Sequence, residues 1–306
     1  MLPVEHQLAD LGFDAHFEAA LAALEGEPTP ARIAIAHGES YVAWTAAGVT
    51  KAVIVGSRGQ VWQTAAERPQ VGDWVAGRVD NSGTLLIDHL LPRATCLLRR
   101  AAGERMEAQV VAANVAVIGV VSALDSNMTG ARAQRLINEA RLDRYLTAIQ
   151  QSGARPLLIV NKCDLRADAE ELASALGQAF PGVPLLLTSG AQGSGLEAIM
   201  KHLSPRETLA LVGMSGVGKS TLVNALLGRQ TQAVQAVRSG DARGRHTTTH
   251  RELFKLESGA LLIDTPGMRE FGVWNPEEAA AFDGKQLDTQ RHARGVSHAT
   301  RARRRR

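Results

Sequence analysis

The sequence predicts an α/β protein in which a small N-terminal β-barrel precedes a mostly parallel sheet with helices on both faces. Two observations predict this fold class. Residues 32–105 contain short apolar runs separated by Gly, Asp and Asn turn signals. Residues 106–275 instead alternate continuous apolar runs with longer segments of helical composition. With 306 residues, 45% of them hydrophobic and 21% charged, the chain is long enough for two domains with separate cores.

The barrel is preceded by residues 1–31, which we expect to form a short helical lead-in. The candidate barrel at 32–105 holds five or six short strands, and the OB-fold is the leading candidate for a barrel of this size. It contains the tryptophans Trp44, Trp62 and Trp74. Such side chains can stack on RNA bases, but a tryptophan in a small barrel more often belongs to the core. The sequence leaves both alternatives open.

The second domain is predicted to present several polar loops at one edge of its sheet. Loops that follow the carboxyl ends of parallel strands meet at the same edge, where an open α/β sheet binds its ligand. The predicted strands lie at 115–123, 156–162, 184–189, 208–214, 252–256 and 260–265. The predicted helices lie at 132–151, 168–179 and 194–203.

The segment GMSGVGKS at 213–220 matches the phosphate-binding pattern G-x-x-x-x-G-K-[ST] between a predicted strand and a predicted helix. Its glycines allow successive backbone N–H groups to point at phosphate oxygens. Lys219 is predicted to act as a catalytic residue on the β- and γ-phosphates, and the Ser220 hydroxyl to bind Mg²⁺. The predicted nucleotide-binding residues of this segment are Gly213, Met214, Ser215, Gly216, Val217, Gly218, Lys219, Ser220 and Thr221.

The segment DTPG at 264–267 ends an apolar run and supplies candidate ligands for the metal and the γ-phosphate. Asp264 is predicted to hold Mg²⁺ through water, and the Gly267 amide to contact the γ-phosphate. The residue that follows is Met268, where many GTPases carry a water-positioning glutamine. Because methionine cannot polarise water, we expect unassisted hydrolysis to be slow, on the order of 10⁻⁴–10⁻² s⁻¹.

The segment GRHTTTH at 244–250 lies between the phosphate-binding helix and the DTPG strand, where a mobile switch is expected. One threonine there is predicted to bind Mg²⁺ and to respond to the γ-phosphate. Thr248 is the candidate, with Thr247 and Thr249 as open alternatives. His246 is the catalytic candidate for orienting the attacking water, and the alternative is that it contacts RNA or solvent.

The segment NKCD at 161–164 is predicted to select guanine. The Asp164 carboxylate can accept hydrogen bonds from N1–H and from the exocyclic amine of guanine, a pair that adenine lacks. Asn161 is expected to tie loops together, and the end of the next strand to contact the base from its other edge. The predicted guanine-site residues are Asn161, Lys162, Cys163, Asp164, Thr188 and Ser189.

The order of these segments is the reverse of that in an ordinary GTPase, because the guanine segment at 161–164 precedes the phosphate segment at 213–220. The site requires the loops to be adjacent in space, in no particular order along the chain. Joining the original termini and opening the chain elsewhere therefore preserves the site. The sequence predicts a circularly permuted GTPase.

These segments resemble the RsgA (YjeQ) family of ribosome small-subunit-dependent GTPases. The resemblance rests on NKCDL, GMSGVGKSTLVNAL, GDARGRHTTTHREL and DTPGMREFG, and on VGDWV and LPRAT in the barrel region. It implies an N-terminal OB-fold, a permuted GTPase domain that binds GTP with Mg²⁺, and contact with ribosomal RNA. It also implies an assembly checkpoint late in small-subunit maturation, with hydrolysis of GTP to GDP and phosphate stimulated by the subunit.

Residues 276–306 depart from the family pattern. The resemblance implies a small zinc domain with three cysteines and a histidine, but no cysteine follows Cys163. His292 and His298 alone cannot make a closed structural zinc site, so we expect no zinc here. Residues 291–306 contain seven arginines and no acidic residue, and such a basic tail either contacts a polyanion or stays solvated.

Other functions stay open at this point. One alternative is a nucleotide-gated RNA-binding module with little or no stimulated hydrolysis, and another is a permuted GTPase that acts on the large subunit. The predicted barrel argues against the second, because OB-folds commonly bind single-stranded or structured RNA.

The sequence also indicates a cellular compartment. Only two cysteines are present, Cys96 and Cys163, which favours a reducing cytosol. The most apolar run, at 115–121, is far shorter than the roughly 20 residues of a membrane helix, and the N-terminus lacks a signal-peptide pattern. We therefore expect a cytoplasmic protein without a membrane partner. Nothing in the sequence indicates a self-complementary interface, so a monomer is expected.

Overall fold

The N-terminal part of the computed structural model is a closed five-stranded barrel of the OB type. The structure describes residues 7–55, 62, 64, 66–100, 108–124, 139–228 and 251–264. The barrel strands pair in the order β1-β2-β3-β5-β4, and β1 also pairs with β4 to close the barrel. They are β1 (Thr29–His37), β2 (Ser40–Thr45), β3 (Gly48–Ile54), β4 (Trp74–Val79) and β5 (Leu85–Leu90).

The lead-in covers one end of this barrel. It forms a 3₁₀ turn at Leu8–Leu11 and helix α1 at Ala15–Ala22. Phe13 and Phe17 of the lead-in pack on Trp74, with 4.7 Å between the ring centroids of Phe13 and Trp74. Trp74 is fully buried. The structure therefore assigns this tryptophan to the core and not to a surface for base stacking.

A two-stranded hairpin connects the barrel to the second sheet, and the sequence analysis did not predict it. Its strands are β6 (Cys96–Arg100) and β7 (Ala108–Ala113). The predicted domain boundary at 105 falls between them. Conversely, the apolar run at 60–65 was a candidate strand, but Trp62 and Thr64 are not in a strand and the rest of the run lies outside the described residues.

The second sheet has the strand order β10-β9-β8-β11-β13-β12. All neighbours are parallel except β12 and β13. The strands are β8 (Val117–Ala123), β9 (Arg155–Asn161), β10 (Leu185–Leu187), β11 (Thr208–Gly213), β12 (Glu252–Lys255) and β13 (Leu261–Asp264). The helices are α2 (Glu139–Gln151), α3 (Ala169–Ala179), α4 (Leu196–Lys201) and α5 (Lys219–Leu227).

Helices cover both faces of this sheet, as its continuous apolar strands predicted. Ile118 and Val120 of β8 belong to the buried cluster that contains the apolar residues of α2 and α3. Val117 and Val121, which point to the other face, cluster with residues of α4 and α5. Burial on both faces is why the strands lack an apolar–polar alternation. Within the described ranges, no helix is both long and apolar enough to cross a bilayer.

The barrel and the second sheet share one set of hydrogen-bonded strands. The first half of β1 pairs with β4, and further along the same strand Ile35 lies opposite Glu252 of β12. The barrel therefore covers the edge of β12, which would otherwise present unpaired backbone groups. The predicted fold class, a barrel followed by a mostly parallel sheet with helices on both faces, is confirmed.

A buried arginine holds this junction together. Arg32 is 2% exposed, and its guanidinium donates hydrogen bonds to the carbonyl oxygens of Leu11, Gly72 and Asn114. Its Nη2 also donates to Thr208 Oγ1 at 2.8 Å. Burial lowers the pKa of Arg32 to about 10, so the side chain is charged at neutral pH. The acceptors come from the lead-in, the barrel, the end of β7 and the start of β11.

A second buried polar group braces the barrel. Asp73 accepts hydrogen bonds from Arg93 at Nε–Oδ1 2.8 Å and Nη2–Oδ2 2.7 Å. The Asp73 side chain is fully buried and that of Arg93 is 8% exposed. Burial alone would lower the pKa of Arg93, but the adjacent Asp73 carboxylate outweighs it and raises that pKa. In this buried ion pair, each charge therefore offsets the cost of burying the other.

Replacing Asp73 by Asn should strongly destabilise the barrel, because it leaves the Arg93 charge buried without its counter-charge. Breaking a buried pair in this way costs about 3–5 kcal/mol. Differential scanning calorimetry should show a clearly lower melting temperature. The control is Asp88→Asn, which removes a pair with the largely exposed Arg78 and should cost less than about 1 kcal/mol. Equal shifts for both variants would contradict this account of Asp73.

Candidate functional site

The predicted binding loops meet at one edge of the second sheet. Asn161 ends β9, Gly213 ends β11 and Asp264 ends β13, while Thr188 directly follows β10. These strands are parallel and lie in one continuous stretch of the sheet order. Their carboxyl ends therefore lie side by side, at the position where open α/β sheets bind ligands.

The phosphate loop, residues 213–220, has the backbone conformation that its glycines allow. Gly213, Gly216 and Gly218 have φ values of 147°, 84° and 93°, in the region that side chains other than glycine rarely adopt. A Cβ atom on Gly213 would lie 2.3 Å from the carbonyl oxygen of Val121. The loop thus passes close to β8 before helix α5 begins at Lys219.

The Lys219 ammonium is held inside the phosphate loop. Lys219 is 7% exposed, and Nζ donates to the carbonyl oxygens of Gly213 at 2.8 Å and Met214 at 2.7 Å. Burial lowers the pKa of Lys219, and the charge of Asp264 opposes this shift. Burial likewise raises the pKa of the Asp264 carboxyl, Glu252 adds to that increase, and Lys219 opposes it. Each group therefore shifts the pKa of the other, although burial is the larger cause for both.

The side chains of Ser220 and Asp264 have the chemistry of Mg²⁺ ligands. Ser220 is exposed on the first turn of α5, and Asp264 is half-buried at the end of β13. A hydroxyl and a carboxylate are the oxygen ligands that Mg²⁺ takes alongside water and nucleotide phosphates. A divalent cation would also compensate the cost of burying the Asp264 charge. Both residues remain predicted Mg²⁺ ligands.

Asn161 joins three loops of the site. Its side-chain Nδ2 donates to the carbonyl oxygen of Val217 in the phosphate loop at 2.9 Å. Its Oδ1 accepts hydrogen bonds from the Gly190 amide at 3.0 Å and from Thr188 Oγ1 at 3.2 Å. The Asn161 side chain is buried, so each of these polar atoms needs its partner. The guanine segment, the phosphate loop and the loop after β10 are thereby fixed relative to one another.

The guanine segment turns sharply at Lys162. This residue has φ 63°, in the left-handed region, and precedes a 3₁₀ turn at Cys163–Leu165. The Lys162 stem reaches the phosphate loop, since its Cε would lie 3.9 Å from a Cβ on Gly218. Asp164 is exposed at the same edge. The segment therefore leaves the Asp164 carboxylate accessible to a bound base. That Asp164 selects guanine remains a prediction.

Thr188 and Ser189 are buried, whereas the sequence analysis predicted that they contact guanine. Both are fully buried. The Thr188 hydroxyl donates to Asn161, and Ser189 Oγ accepts from the Gln192 amide at 3.2 Å. Their side chains brace the loop, whose exposed residues are 191–194. A direct contact of either residue with guanine remains a prediction.

Two residues at the site were not found by sequence reasoning. Gly190 contributes its amide to Asn161, and a Cβ on Gly190 would lie only 3.1 Å from the backbone nitrogen of Leu222. Arg141 of α2 directs its guanidinium to the sulfur of Met214 in the phosphate loop. Neither residue belongs to a recognisable motif, so only the tertiary structure reveals them.

Several predicted residues lie outside the described residues: His246, Thr248 with its alternatives, Gly267 and Met268. The same holds for segment 276–306, where a zinc site is not expected. Among the residues that the structure does describe, no group of three or more His, Cys, Asp or Glu side chains could hold a metal ion.

The sequence has close relatives of known family. The family model for the RsgA GTPase matches residues 90–274. The small ribosomal subunit biogenesis GTPase RsgA 1 of Oceanobacillus iheyensis is 38% identical over 248 residues, which cover 81% of this chain and 68% of the relative. The small ribosomal subunit biogenesis GTPase RsgA of Opitutus terrae is 38% identical over 286 residues, covering 90% and 76%.

Solved structures support the fold. YjeQ from Thermotoga maritima has a TM-score of 0.56 at 22% identity, covering 78% of this chain and 75% of that one. YloQ, a circularly permuted GTPase, has a TM-score of 0.53 at 23% identity, covering 80% and 73%. These likenesses confirm the predicted permuted architecture.

Replacing Gly218 by Ala should weaken GDP binding at least about tenfold, a loss of ~1.4 kcal/mol. The new Cβ would lie 2.3 Å from Asn161 Nδ2, so the hydrogen bond that fixes the phosphate loop must break. Gly216→Ala is the matched control, because Gly216 also has a positive φ but nothing within 4 Å of a Cβ. It should show only the strain of a side chain at positive φ, about 1–2 kcal/mol. This strain is present with and without GDP, so GDP affinity should fall clearly less than it does in Gly218→Ala. Titration with a fluorescent GDP analogue measures the affinity of both variants. An equal loss of affinity in the two variants would refute the role of Asn161 in fixing the phosphate loop.

Proposed function

Since the chain belongs to the RsgA GTPase family and is a GTP hydrolase, we propose that it binds the small ribosomal subunit and acts late in the maturation of that subunit. In this proposal the subunit stimulates hydrolysis of GTP to GDP and phosphate, and the chain serves as an assembly checkpoint in the cytoplasm. The observation that carries the proposal is the convergence of the guanine segment and the phosphate loop on Asn161, in a sheet whose edge is paired with an OB-type barrel.

The phosphate loop and its lysine bind the phosphates in this proposal. Lys219 Nζ now donates to two loop carbonyls, and the same donor can turn to β- and γ-phosphate oxygens without leaving the loop. The glycine amides and the start of α5 add further donors. Mg²⁺, held by Ser220, Asp264 and the candidate Thr248, would neutralise charge on the phosphates. Gly267 is proposed to contact the γ-phosphate.

Guanine is selected by the exposed Asp164 carboxylate. A carboxylate can accept hydrogen bonds from N1–H and from the exocyclic amine together, and a nucleotide without these donors leaves it unpaired. Lys162, which reaches the phosphate loop, would cover the base with its aliphatic stem. Asn161 acts on the base indirectly, because its side chain is used to position the three loops.

Slow hydrolysis without a partner is expected from the residue that follows the DTPG segment in the sequence. Met268 cannot polarise an attacking water, so the chain depends on another group to orient it. His246 is the proposed group, and it would act once the subunit orders the surrounding segment. A checkpoint requires this arrangement, since a GTPase that is slow alone and fast on its target reports that the target is present.

The Asp164→Ala variant should lose the preference for GDP over IDP, which lacks the exocyclic amine of guanine. Hydrogen bonds to a charged group are worth ~1.5–3 kcal/mol, so GDP affinity should fall by about ten- to a hundredfold while IDP affinity falls less. Competition titrations against a fluorescent GDP analogue measure both constants. Asp168→Ala is the control, because Asp168 pairs with Arg166 in the same loop. A variant that still prefers GDP as strongly as the wild type would rule out Asp164 as the base selector.

Steady-state GTP hydrolysis with and without small ribosomal subunits, at one fixed salt concentration, tests the proposed function. We expect strong stimulation by small subunits and little by large subunits. His246→Ala should lower the stimulated rate and leave GDP affinity nearly unchanged, whereas replacing the exposed His202 by Ala should alter neither. An unstimulated wild-type chain that still binds GTP and RNA would instead support the nucleotide-gated RNA-binding module. Full stimulation of His246→Ala would remove that residue from the mechanism.

A further inference from the structure

Arg141 reaches the phosphate loop from helix α2, which holds none of the residues predicted for the site. Its guanidinium contacts the sulfur of Met214. The carbonyl oxygen of the same methionine accepts a hydrogen bond from Lys219 Nζ at 2.7 Å. Two cationic side chains from different helices therefore meet on one residue of the loop that is predicted to bind phosphates.

The packing of α2 fixes the position from which Arg141 extends. Leu142, Tyr145 and Leu146 of this helix are buried in the cluster that also contains Ile118 of β8. In the chain, α2 lies between the parallel strands β8 and β9. It therefore runs back across the sheet, and its first described turn lies near the carboxyl end of β8. Arg141 is half-buried in that turn, so an anchored helix places a long cationic side chain at the edge where the binding loops meet.

The sulfur of Met214 is a weak partner for a guanidinium. A thioether accepts hydrogen bonds poorly, whereas phosphate oxygens accept charge-assisted hydrogen bonds in pairs from the planar fork of arginine. Methionine is also unbranched and flexible, so its side chain can move while the helix stays in place. A phosphate that enters the loop therefore offers Arg141 a much stronger acceptor than this sulfur.

The direction of approach favours the last phosphate of the nucleotide. Helix α5 packs on the face of the sheet that holds Val117 and Val121, whereas α2 packs on the opposite face. In the phosphate-binding pattern, the loop amides and the start of the following helix surround the α- and β-phosphates. A side chain that comes from the other face, outside the loop, is placed for the γ-phosphate, which extends beyond these donors.

We propose that Arg141 binds the γ-phosphate of GTP and thereby lets the chain distinguish GTP from GDP. The proposal rests on the proposed function in one respect, namely that residues 213–220 bind the nucleotide phosphates. It adds a second cation beside Lys219 on the phosphate that hydrolysis removes. Because GDP lacks this phosphate, Arg141 stays on Met214 when GDP is bound.

Nucleotide affinity tests the contact. Competition against a fluorescent GDP analogue is measured on the full chain at fixed Mg²⁺, with GDP and with a non-hydrolysable GTP analogue. Arg141→Gln should weaken binding of the GTP analogue about tenfold or more, because a hydrogen-bonded charge is lost, and should leave GDP affinity nearly unchanged. Arg144→Gln is the matched control, since Arg144 is exposed one turn further along α2, and both of its affinities should equal those of wild type. Wild-type affinity of Arg141→Gln for the GTP analogue would overturn the proposal.

The ratio of the two affinities separates recognition of the phosphate from a structural role. If Arg141 only supported the phosphate loop through Met214, Arg141→Gln would weaken GDP and the GTP analogue by the same factor and would lower the melting temperature. That result would overturn the proposal.

A second variant tests the fork of the guanidinium. Arg141→Lys keeps the charge and loses the fork, so it should distinguish the two nucleotides less well than wild type and better than Arg141→Gln. Wild-type discrimination in Arg141→Lys would overturn the proposal even if Arg141→Gln did not fold. Discrimination no better than that of Arg141→Gln would show that the charge at this position does not contact the γ-phosphate.

The same titrations distinguish a failure of this proposal from a failure of the proposed function. A wild-type chain that binds neither nucleotide would overturn the assignment of residues 213–220 to the phosphates. Tight binding of both nucleotides, with an unchanged affinity ratio in Arg141→Gln, would overturn the role of Arg141 alone. Since these titrations contain no ribosomal subunits, their outcome does not depend on whether subunits stimulate hydrolysis.

Discussion

The burial of Arg32 is the constraint on which the arrangement of this molecule depends. A guanidinium with 2% exposure must find acceptors for its N–H groups, because each unsatisfied buried donor costs about 1–3 kcal/mol. Those acceptors are delivered by the lead-in, by Gly72 in the barrel, by Asn114 after the hairpin and by Thr208 at the start of β11. Since no single segment can satisfy Arg32, the segments hold one another in place. The pairing of β1 with β12 extends the same junction into the backbone.

Circular permutation is compatible with this constraint because the nucleotide loops depend on strand neighbours and not on chain order. Asn161 connects the loops that an ordinary GTPase would present in the opposite order. The permutation does change which segments are continuous with the site. β12 and β13 are antiparallel neighbours that follow residues 229–250 in the chain, and Glu252 of β12 also lies opposite Ile35 of the barrel. The strand that pairs with β13, which ends at the candidate Mg²⁺ ligand Asp264, is therefore the same strand that pairs with the barrel.

Much of the arrangement of the candidate site could be predicted from the sequence because it depends on local patterns. The phosphate loop depends on glycines at fixed spacing, and the strand ends at Asn161 and Asp264 follow from apolar runs that stop at polar residues. What could not be predicted depends on distant contacts. The hairpin β6–β7 has no turn motif. Thr188 is buried, and its hydroxyl donates to the distant Asn161. An arginine at position 32 looks like any surface charge in a strand. Strand register and the choice of hydrogen-bond partners in the tertiary structure decide these features, and neither can be read from a single sequence.

The central claim is that nucleotide binding also stabilises the barrel. Amide hydrogen–deuterium exchange measured by mass spectrometry tests this claim most directly, without nucleotide, with GDP and with a non-hydrolysable GTP analogue. Exchange reports local opening, and a coupled segment opens less often when a ligand stabilises its neighbour. The account predicts slower exchange in the phosphate loop and the guanine segment, and also in peptides that cover β1 and β12. Protection confined to the nucleotide loops, with β1 exchanging at the same rate in every state, would contradict it.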